Sequence, residues 1–269
     1  MSRLKISAIS YLNTAPLLWD FERGDAGADF ELAYTVPSAC AEALRAQTAD
    51  IGIIPAAAYA TIADLVIIPD VAIASKQAVR SILLVSKYPL EKVKSVALDT
   101  SSLTSFALAK IVFAKWRGGA RRYVGLAPNL DTMLAKCDAA LLIGDPALQV
   151  DRSRYVTLDL AEEWIARTGK SFVFAFWAIR RTALAGRDTA AIVNAFKKSR
   201  DHGLEPKNLE TIVQEWSPRL SLPAETVRAY LAQNIHYYLD PPCLEGLELF
   251  YRYAAEVGVL PEAQGLAFI

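Results

Sequence analysis

Cysteine and histidine are scarce in this chain. The three cysteines, Cys40, Cys137 and Cys243, are far apart and form no C-x-x-C pair. This spacing argues against a disulfide framework and against a structural zinc site. We therefore expect a reducing, cytoplasmic environment. The two histidines, His202 and His236, lie far from every predicted strand end, so we expect neither a histidine base nor a metal site.

The sequence also lacks an excess of charge, a long apolar run and the common catalytic motifs. Lys and Arg together number 29, as do Asp and Glu, so the net charge attracts neither nucleic acid nor an anionic membrane. No uncharged apolar run of roughly 20 residues is present, and residues 1–14 lack the apolar core of a signal peptide. There is no G-x-S-x-G, G-x-x-x-x-G-K-[ST], G-x-G-x-x-G or H-E-x-x-H. These absences predict a cytoplasmic protein without nucleic-acid or membrane partners.

The chain does have an α/β pattern and a largely apolar composition. Its 269 residues are 53% hydrophobic, which suits one large domain or two lobes. Short runs rich in β-branched residues alternate with helix-like stretches, a pattern typical of parallel strands joined by crossover helices. The predicted strands include 4–9, 50–54, 95–98 and 139–143, and helices are predicted at about 38–47, 102–117, 187–202, 206–215, 223–233 and 243–257.

Three β-like runs predict how two lobes are connected. The runs 67–74 and 78–85 are followed much later by 171–179. Strands in these runs would carry the chain out of one lobe and back again. We predict lobe I at 1–82 plus 178–269 and lobe II at 83–177, with hinge strands near 78–86 and 171–179.

Hydroxyl groups gather after one predicted strand, at the edge where open α/β sheets bind ligands. Between Thr100 and Ser105 they coincide with the start of a predicted helix. The unpaired N–H groups and the dipole of such a helix favour a carboxylate or a phosphate. Alternatively, one of these serines only caps the helix. The same two interpretations apply to Ser38 and Ala39.

Other candidate residues also follow predicted strands. Asn13 either bridges its loop or contacts a ligand, and Tyr11 either packs or presents its hydroxyl. Asp145 either caps a turn or accepts a hydrogen bond in the cleft. Arg80 either pairs with a carboxylate or is a solvated hinge charge. These residues indicate a cleft for a small carboxylated molecule. The candidate substrate-binding residues are Tyr11, Ser38, Ala39, Ala56, Arg80, Thr100, Ser101, Ser102, Thr104, Ser105 and Asp145.

Three segments resemble one enzyme family in matching order. They are 10–17 (SYLNTAPL), 49–55 (ADIGIIP) and 141–148 (LLIGDPAL). On these segments the chain resembles the chorismate dehydratases of the futalosine route to menaquinone. Further matches lie at 79–84, 98–105 and 163–175.

The resemblance implies a two-lobed type II periplasmic-binding-protein fold. It also implies removal of water from chorismate, giving 3-[(1-carboxyvinyl)oxy]benzoate without a metal or an organic cofactor. Asn13 and Ser81 are then the candidate catalytic residues, which orient the departing hydroxyl or the enolpyruvyl group. Residues 100–105 would hold a carboxylate. The proton goes either to a group in the cleft or to a carboxylate of the substrate.

Other functions fit the same fold. A solute-binding protein of a transporter needs export, for which residues 1–20 show neither a signal peptide nor a lipobox cysteine. The sister enzyme, which forms dihydroxynaphthoate, carries an early Ser-Pro-Cys-Pro-type loop that is not found in residues 1–20. A ligand-sensing domain would bring a basic helix-turn-helix. A cytoplasmic small-carboxylate binding protein and the sister enzyme remain the alternatives.

Overall fold

A computed structural model describes residues 2–99 and 102–269, whose strands form two mixed sheets. The described strands are β1 (Leu4–Ile9), β2 (Phe30–Thr35), β3 (Ile51–Pro55), β4 (Leu65–Ser75), β5 (Ile82–Ser86), β6 (Ser95–Asp99), β7 (Arg122–Leu126), β8 (Ala139–Ile143), β9 (Val156–Asp159) and β10 (Phe172–Arg180). The described α-helices are α1 (Trp19–Arg23), α2 (Pro37–Arg45), α3 (Ala56–Tyr59), α4 (Leu103–Trp116), α5 (Leu130–Lys136), α6 (Gly144–Leu148), α7 (Leu160–Thr168), α8 (Thr189–Leu204), α9 (Pro206–Leu220), α10 (Ala224–Ala229) and α11 (Pro241–Glu256). A 3-10 helix, Leu12–Leu18, follows β1, and a π-helical segment, Tyr230–Asn234, which we call the π turn, continues α10.

The two sheets mix parallel and antiparallel pairs. The first has strand order β2-β1-β3-β10-β4 and the second β7-β6-β8-β5-β9. In the first sheet β1 is parallel to β2 and β3, and in the second β6 is parallel to β7 and β8. The predicted strands 4–9, 50–54, 95–98 and 139–143 correspond to β1, β3, β6 and β8, which pair in parallel. Two further strands are antiparallel to their neighbours: β10 to β3 and β4, and β5 to β8 and β9. Both strands enter their sheet from the other sheet, so no crossover helix imposes the parallel direction.

The chain crosses between the sheets twice. It leaves the first sheet at Ser75, passes through residues 76–81, which we call the connector, and enters the second sheet at Ile82. It returns between Thr168 and Phe172, and β10 pairs with the first sheet along its whole length. The predicted run 78–85 is therefore a strand only from Ile82 onward. The lobe bounds 1–82 plus 178–269 and 83–177 stay a prediction.

Helices cover the central strands, which explains why these strands are apolar on both faces. Every residue of β3, β5, β6 and β8 is buried. Helix α2 packs so closely on β3 that a Cβ atom at Gly52 would lie 2.9 Å from Cys40 Sγ. Glycine is needed there for the close approach. Burial of the strand bodies leaves the strand ends as the places where polar side chains meet.

The predicted helices are confirmed, with shifts of a few residues at their ends. The predicted helix 102–117 corresponds to α4. Ser102 caps it, because its Oγ accepts the N–H of Ser105 at 3.2 Å. The predicted helix 223–233 is α-helical to Ala229 and then becomes the π turn. Among the described residues, no helix combines the length and the apolar character needed to cross a membrane.

Candidate active site

A cavity lies between the two sheets, at the strand ends. Its wall includes the ends of β1, β3 and β8, part of β10 and the first turn of α4. Its volume is about 60 Å³. Polar residues predicted from the sequence contribute to this wall: Tyr11, Asn13, Ser81, Ser102, Thr104 and Ser105.

Five other predicted site residues do not line this cavity. The structure does not place Ser38, Ala39, Ala56, Arg80 or Asp145 at the cavity wall. Thr100 and Ser101 lie outside the described residues. The roles of all these residues in binding or catalysis stay predictions.

Hydroxyl groups surround the N-terminus of α4 at the wall. Besides capping the helix, Ser102 donates from its Oγ to Ser105 Oγ at 2.9 Å, and both side chains are buried. The N–H groups of Leu103 and Thr104 have no partner within the helix. Capping and anion binding are therefore compatible here, since the cap uses a side chain and leaves backbone donors and the helix dipole for an anion.

A second helix N-terminus, that of α2, also reaches the cavity. Pro37, its first residue, lines the wall, and among the described residues no side chain caps this helix. The helical hydrogen bonds begin with the N–H of Cys40, which donates to the carbonyl of Val36 at 3.0 Å. Ser38 and Ala39 are half-buried just behind Pro37. Helix α2 can therefore offer backbone donors, although neither side chain lines the cavity.

Thr104 joins α4 to the first sheet. Its hydroxyl accepts the N–H of Ala57 at 3.0 Å and donates to the carbonyl of Phe174 at 3.2 Å. Ala57 lies in α3, which follows β3, and Phe174 lies in β10. Thr104 is only 1% exposed. Since a hydroxyl has one proton, that of Thr104 is used to hold α4 against the first sheet.

Ser81 and Asn13 meet at the hydroxyl of Tyr230, a residue that the sequence analysis did not single out. Tyr230, the first residue of the π turn, donates to Ser81 Oγ at 2.8 Å. The side chain of Asn13 also lies near the Tyr230 hydroxyl and acts on it as a hydrogen-bond donor, which lowers the pKa of Tyr230. Burial raises the pKa of Tyr230 well above its usual range, and the contacts with Ser81 and Asn13 offset only part of this rise. The phenol therefore remains protonated at neutral pH.

Asp145 lies behind the wall and contacts the loop that carries Asn13. Its Oδ1 accepts the backbone N–H of Leu12 at 3.1 Å. Burial raises the pKa of Asp145 to about 6, and the hydrogen bond from Leu12 lowers it in part. The preceding residue, Gly144, has a φ of 58°, and a Cβ atom there would lie 2.8 Å from the ring of Tyr11. Two successive residues of α6 thus fix the position of the loop after β1.

Arg80 lies in the connector and not in a strand, contrary to the prediction. Its φ of 66° places it in the left-handed region, which is uncommon for an arginine. Its N–H donates to Asp159 Oδ2 at 2.6 Å, and its carbonyl accepts from Arg152 at 2.8 Å. These contacts hold the strained residue that precedes Ser81.

Ala56 is engaged in packing. Its carbonyl accepts the hydroxyl of Tyr251 at 2.7 Å, and the residue is fully buried. The preceding residue, Pro55, lines the cavity, whereas Ala56 does not.

One group of described side chains has donor atoms suited to a metal ion. Those of His236, Asp240 and Cys243 lie within 4.8 Å of one another. Asp240 Oδ2 already contacts His236 Nε2 at 2.9 Å and Lys76 Nζ at 2.7 Å, while Oδ1 accepts the N–H of Cys243 at 3.1 Å. The Lys76 ammonium opposes binding of a cation, and none of these residues lines the cavity. We assign Asp240 the role of capping α11.

The sequence analysis also missed the apolar part of the wall. Ile73 of β4 and Phe174 of β10 line the cavity, whereas their β-like runs were interpreted only as connections between lobes. Apolar side chains beside a few convergent polar groups are typical of sites for small molecules. Tyr230 carried no local signal, since it is one of 11 tyrosines and lies in a helical stretch.

Residues 4–256 of the chain match a protein family described as menaquinone biosynthesis. Relatives in two bacteria are named chorismate dehydratase. The protein of Thermus thermophilus is 30% identical over 258 residues, which cover 89% of this chain and 91% of the relative. That of Campylobacter jejuni is 29% identical over 167 residues, covering 61% of this chain and 60% of the relative.

The fold is similar to several solved structures. Protein AF1704 from Archaeoglobus fulgidus superposes with a TM-score of 0.79 at 17% identity, over 96% of this chain and 98% of that one. The periplasmic aliphatic sulphonate binding protein SsuA from Escherichia coli gives a TM-score of 0.66 at 15% identity, over 100% and 94%. At such identities the similarity shows the fold alone. The predicted two-lobed type II periplasmic-binding-protein-like fold is thus confirmed.

Proposed function

The chain belongs to the menaquinone biosynthesis family, and from this premise we propose that it removes water from chorismate to give 3-[(1-carboxyvinyl)oxy]benzoate. The observation that carries the proposal is the relatedness, over nearly the whole chain, to proteins named chorismate dehydratase. Two other functions, that of a solute-binding protein and that of the sister dihydroxynaphthoate enzyme, are less well supported. The relatives from Thermus thermophilus and Campylobacter jejuni are both named chorismate dehydratase.

The cavity suits the chemical groups of chorismate. The substrate carries two carboxylates, and the N-termini of α2 and α4 both reach the cavity wall with backbone donors. Its ring can pack on the apolar side chains of Ile73 and Phe174. Anion-binding helix ends beside an apolar surface therefore support a small dicarboxylate with a ring as the ligand.

The proposed reaction is an elimination that balances without an electron carrier. One ring C–H bond and one ring C–O bond break, and the electron pair of the C–H bond becomes the double bond that completes the aromatic ring. The hydroxyl leaves and, with the proton, forms water. No oxidant or reductant is consumed, so the reaction itself calls for no redox cofactor.

Asn13 and Ser81 are the proposed catalytic residues. Both line the cavity, and both contact the hydroxyl of Tyr230. A hydroxyl or amide proton directed at the departing oxygen stabilises the negative charge that develops as the C–O bond breaks. We assign the proton of the C–H bond to a group in the cleft or to a carboxylate of the substrate.

Entry of the substrate requires the two sheets to move apart. The cavity of about 60 Å³ is smaller than typical ligand pockets of roughly 300–1,000 Å³. The connector and residues 169–171 are the short segments that join the sheets. Closure over chorismate would exclude water and orient the reacting groups.

We propose a cytoplasmic location for this reaction. The cysteines are free and buried at all three positions, Cys40, Cys137 and Cys243, as suits a reducing compartment. The proposed partner is chorismate, with no nucleic acid and no membrane.

A direct assay tests the proposal. Purified protein is mixed with chorismate in the presence of a chelator, and the ultraviolet spectrum is followed beside a sample without protein. The proposal predicts loss of chorismate and growth of a benzoate spectrum over many turnovers. Tight binding of unchanged chorismate would instead indicate a binding protein, and no interaction would favour the sister enzyme.

A further inference from the structure

The π turn holds the connector in place. Gln77 donates from Nε2 to the carbonyl of Gln233 at 2.5 Å, and Asn234 donates from Nδ2 to the carbonyl of Ala78 at 2.9 Å. These contacts join residues that are 156 positions apart in the sequence. Turns of π-helix are rare and frequently occur at functional sites. The segment that carries Ser81 is thus anchored by a turn at the other end of the chain.

Tyr230 supplies a further contact and fixes the direction of the hydrogen bonds at the wall. A phenol has one proton, and Tyr230 gives it to Ser81 Oγ at 2.8 Å. The contact with Asn13 must therefore be an amide N–H that donates to the phenolic oxygen. Asn13 thus donates to Tyr230, and Tyr230 donates to Ser81.

This direction leaves the proton of Ser81 for the cavity. Ser81 Oγ accepts from Tyr230, and within residues 2–99 and 102–269 no protein acceptor is found for its own proton. Ser81 is 1% exposed and lines the cavity, while Tyr230 is equally buried behind it. A ligand oxygen in the cavity would be the acceptor. In the same way, the contact with Tyr230 does not use the amide oxygen of Asn13 as an acceptor.

We propose that Tyr230 is a positioning residue for the dehydration, which aims the hydroxyl proton of Ser81 at the departing oxygen of chorismate and orients the amide of Asn13. The inference rests on the proposed function. Tyr230 touches neither the substrate nor the reacting atoms, and it acts through Ser81 and Asn13. The π turn contributes by holding the connector at Ala78. Because burial raises the pKa of Tyr230, the phenol keeps the proton that it donates.

Tyr230→Phe tests this role, with Tyr237→Phe as the matched control. Tyr237 is also buried, but its hydroxyl has no hydrogen-bond partner among the described residues. We expect Tyr230→Phe to lower kcat by about 10- to 100-fold with KM changed less than about 3-fold. Tyr237→Phe should retain the wild-type kcat. Circular dichroism establishes that both variants are folded.

A double variant separates positioning from a general loss of packing. Because Tyr230 acts in part through Ser81, Ser81→Ala combined with Tyr230→Phe should lose clearly less activity than the product of the two single losses. If Tyr230→Phe does not fold, Asn234→Ala tests the π turn with the phenol in place, and its kcat should fall by about 10-fold.

Two results would overturn the inference while the proposed function stands. In the first, the wild-type enzyme dehydrates chorismate and the kcat of Tyr230→Phe lies within about 3-fold of the wild-type kcat. The other is a double variant whose loss equals the product of the two single losses. A wild-type protein that leaves chorismate unchanged would overturn the proposed function itself.

Discussion

Leu12 and Asp145 tie the two halves of the candidate site together. The backbone N–H of Leu12 donates to Asp145 Oδ1 at 3.1 Å, although the residues are 133 positions apart in the sequence. Leu12 precedes Asn13, and Asp145 follows Gly144 at the start of α6. This hydrogen bond therefore links the loop after β1 to α6, which follows β8 of the second sheet, close to the cavity wall.

Replacing Asp145 should change how stability depends on pH. Burial raises the pKa of Asp145 from 3.8 to about 6, so between these values the native chain holds a proton that the unfolded chain has lost. The free energy of unfolding therefore falls as pH rises through this window. An asparagine side chain cannot titrate, so Asp145→Asn removes this fall. We compare the free energy of unfolding of the variant with that of the wild type. The difference, variant minus wild type, should rise by about 1–3 kcal/mol as the pH is raised from roughly 4 to 7.

Urea denaturation at a series of pH values measures this difference. Asp131→Asn, at an exposed position of α5, controls for the loss of one negative charge. Parallel stability curves for Asp145→Asn and the wild type would contradict a raised pKa for the carboxyl of Asp145.

Thr104→Val should destabilise the chain. The substitution keeps the shape but leaves the N–H of Ala57 and the carbonyl of Phe174 unpaired in a buried place. We expect a loss of about 2–4 kcal/mol in the free energy of unfolding, measured by urea denaturation. The control Thr132→Val changes an exposed threonine of α5 and should stay within about 0.5 kcal/mol of the wild type. Equal effects of the two variants would show that the Thr104 bridge contributes nothing.

Gly144→Ala should impair activity beyond its effect on stability. Gly144 has a φ of 58°, and an added Cβ would lie 2.8 Å from the ring of Tyr11, which lines the cavity. Gly258→Ala is the matched control, because Gly258 has a φ of 66° and the added Cβ would meet nothing within 4 Å beyond its chain neighbours. Both variants should lose about 1–2 kcal/mol of stability from backbone strain.

The two glycine variants should differ in kinetics. We expect Gly144→Ala to lower kcat/KM for chorismate by about 10-fold or more, because displacement of Tyr11 reshapes the wall. Gly258→Ala should leave kcat/KM unchanged. A Gly144→Ala enzyme as active as Gly258→Ala would show that the position of Tyr11 is unimportant to the reaction.

The part of the site that follows parallel strands could be predicted from the sequence. Asn13 follows β1 of the first sheet, and Ser102 follows β6 of the second. Both line the cavity, because it lies at the strand ends where open α/β sheets bind ligands. The helix capped by Ser102 was also predictable, since a serine before an apolar helical stretch is a local signal. Ser81, in contrast, entered only through the family resemblance.

Contacts between distant segments could not be predicted. Tyr230 meets Ser81 across 149 positions of sequence, and the pairing depends on how α10 continues into the π turn. The antiparallel direction of β10 likewise depends on the return from the second sheet. Local sequence patterns predict burial and helix caps. The contact of Tyr230 with Ser81 and the direction of β10 depend instead on tertiary packing.

Asn13→Ala should slow turnover without unfolding the protein. Its side chain is half-buried at the wall, so its truncation removes a donor to Tyr230 and a polar group beside the substrate. We expect kcat to fall by about 100-fold or more, with an unchanged circular dichroism spectrum. Full turnover by Asn13→Ala would remove this residue from the mechanism.

Mass spectrometry of the reaction with chorismate tests the central claim most directly. The wild-type protein is incubated with excess chorismate, and the masses of substrate and product are followed over time. The account predicts an aromatic product lighter than chorismate by one water, in amounts that exceed the protein many times over. Chorismate recovered at its original mass after prolonged incubation with folded protein would contradict it.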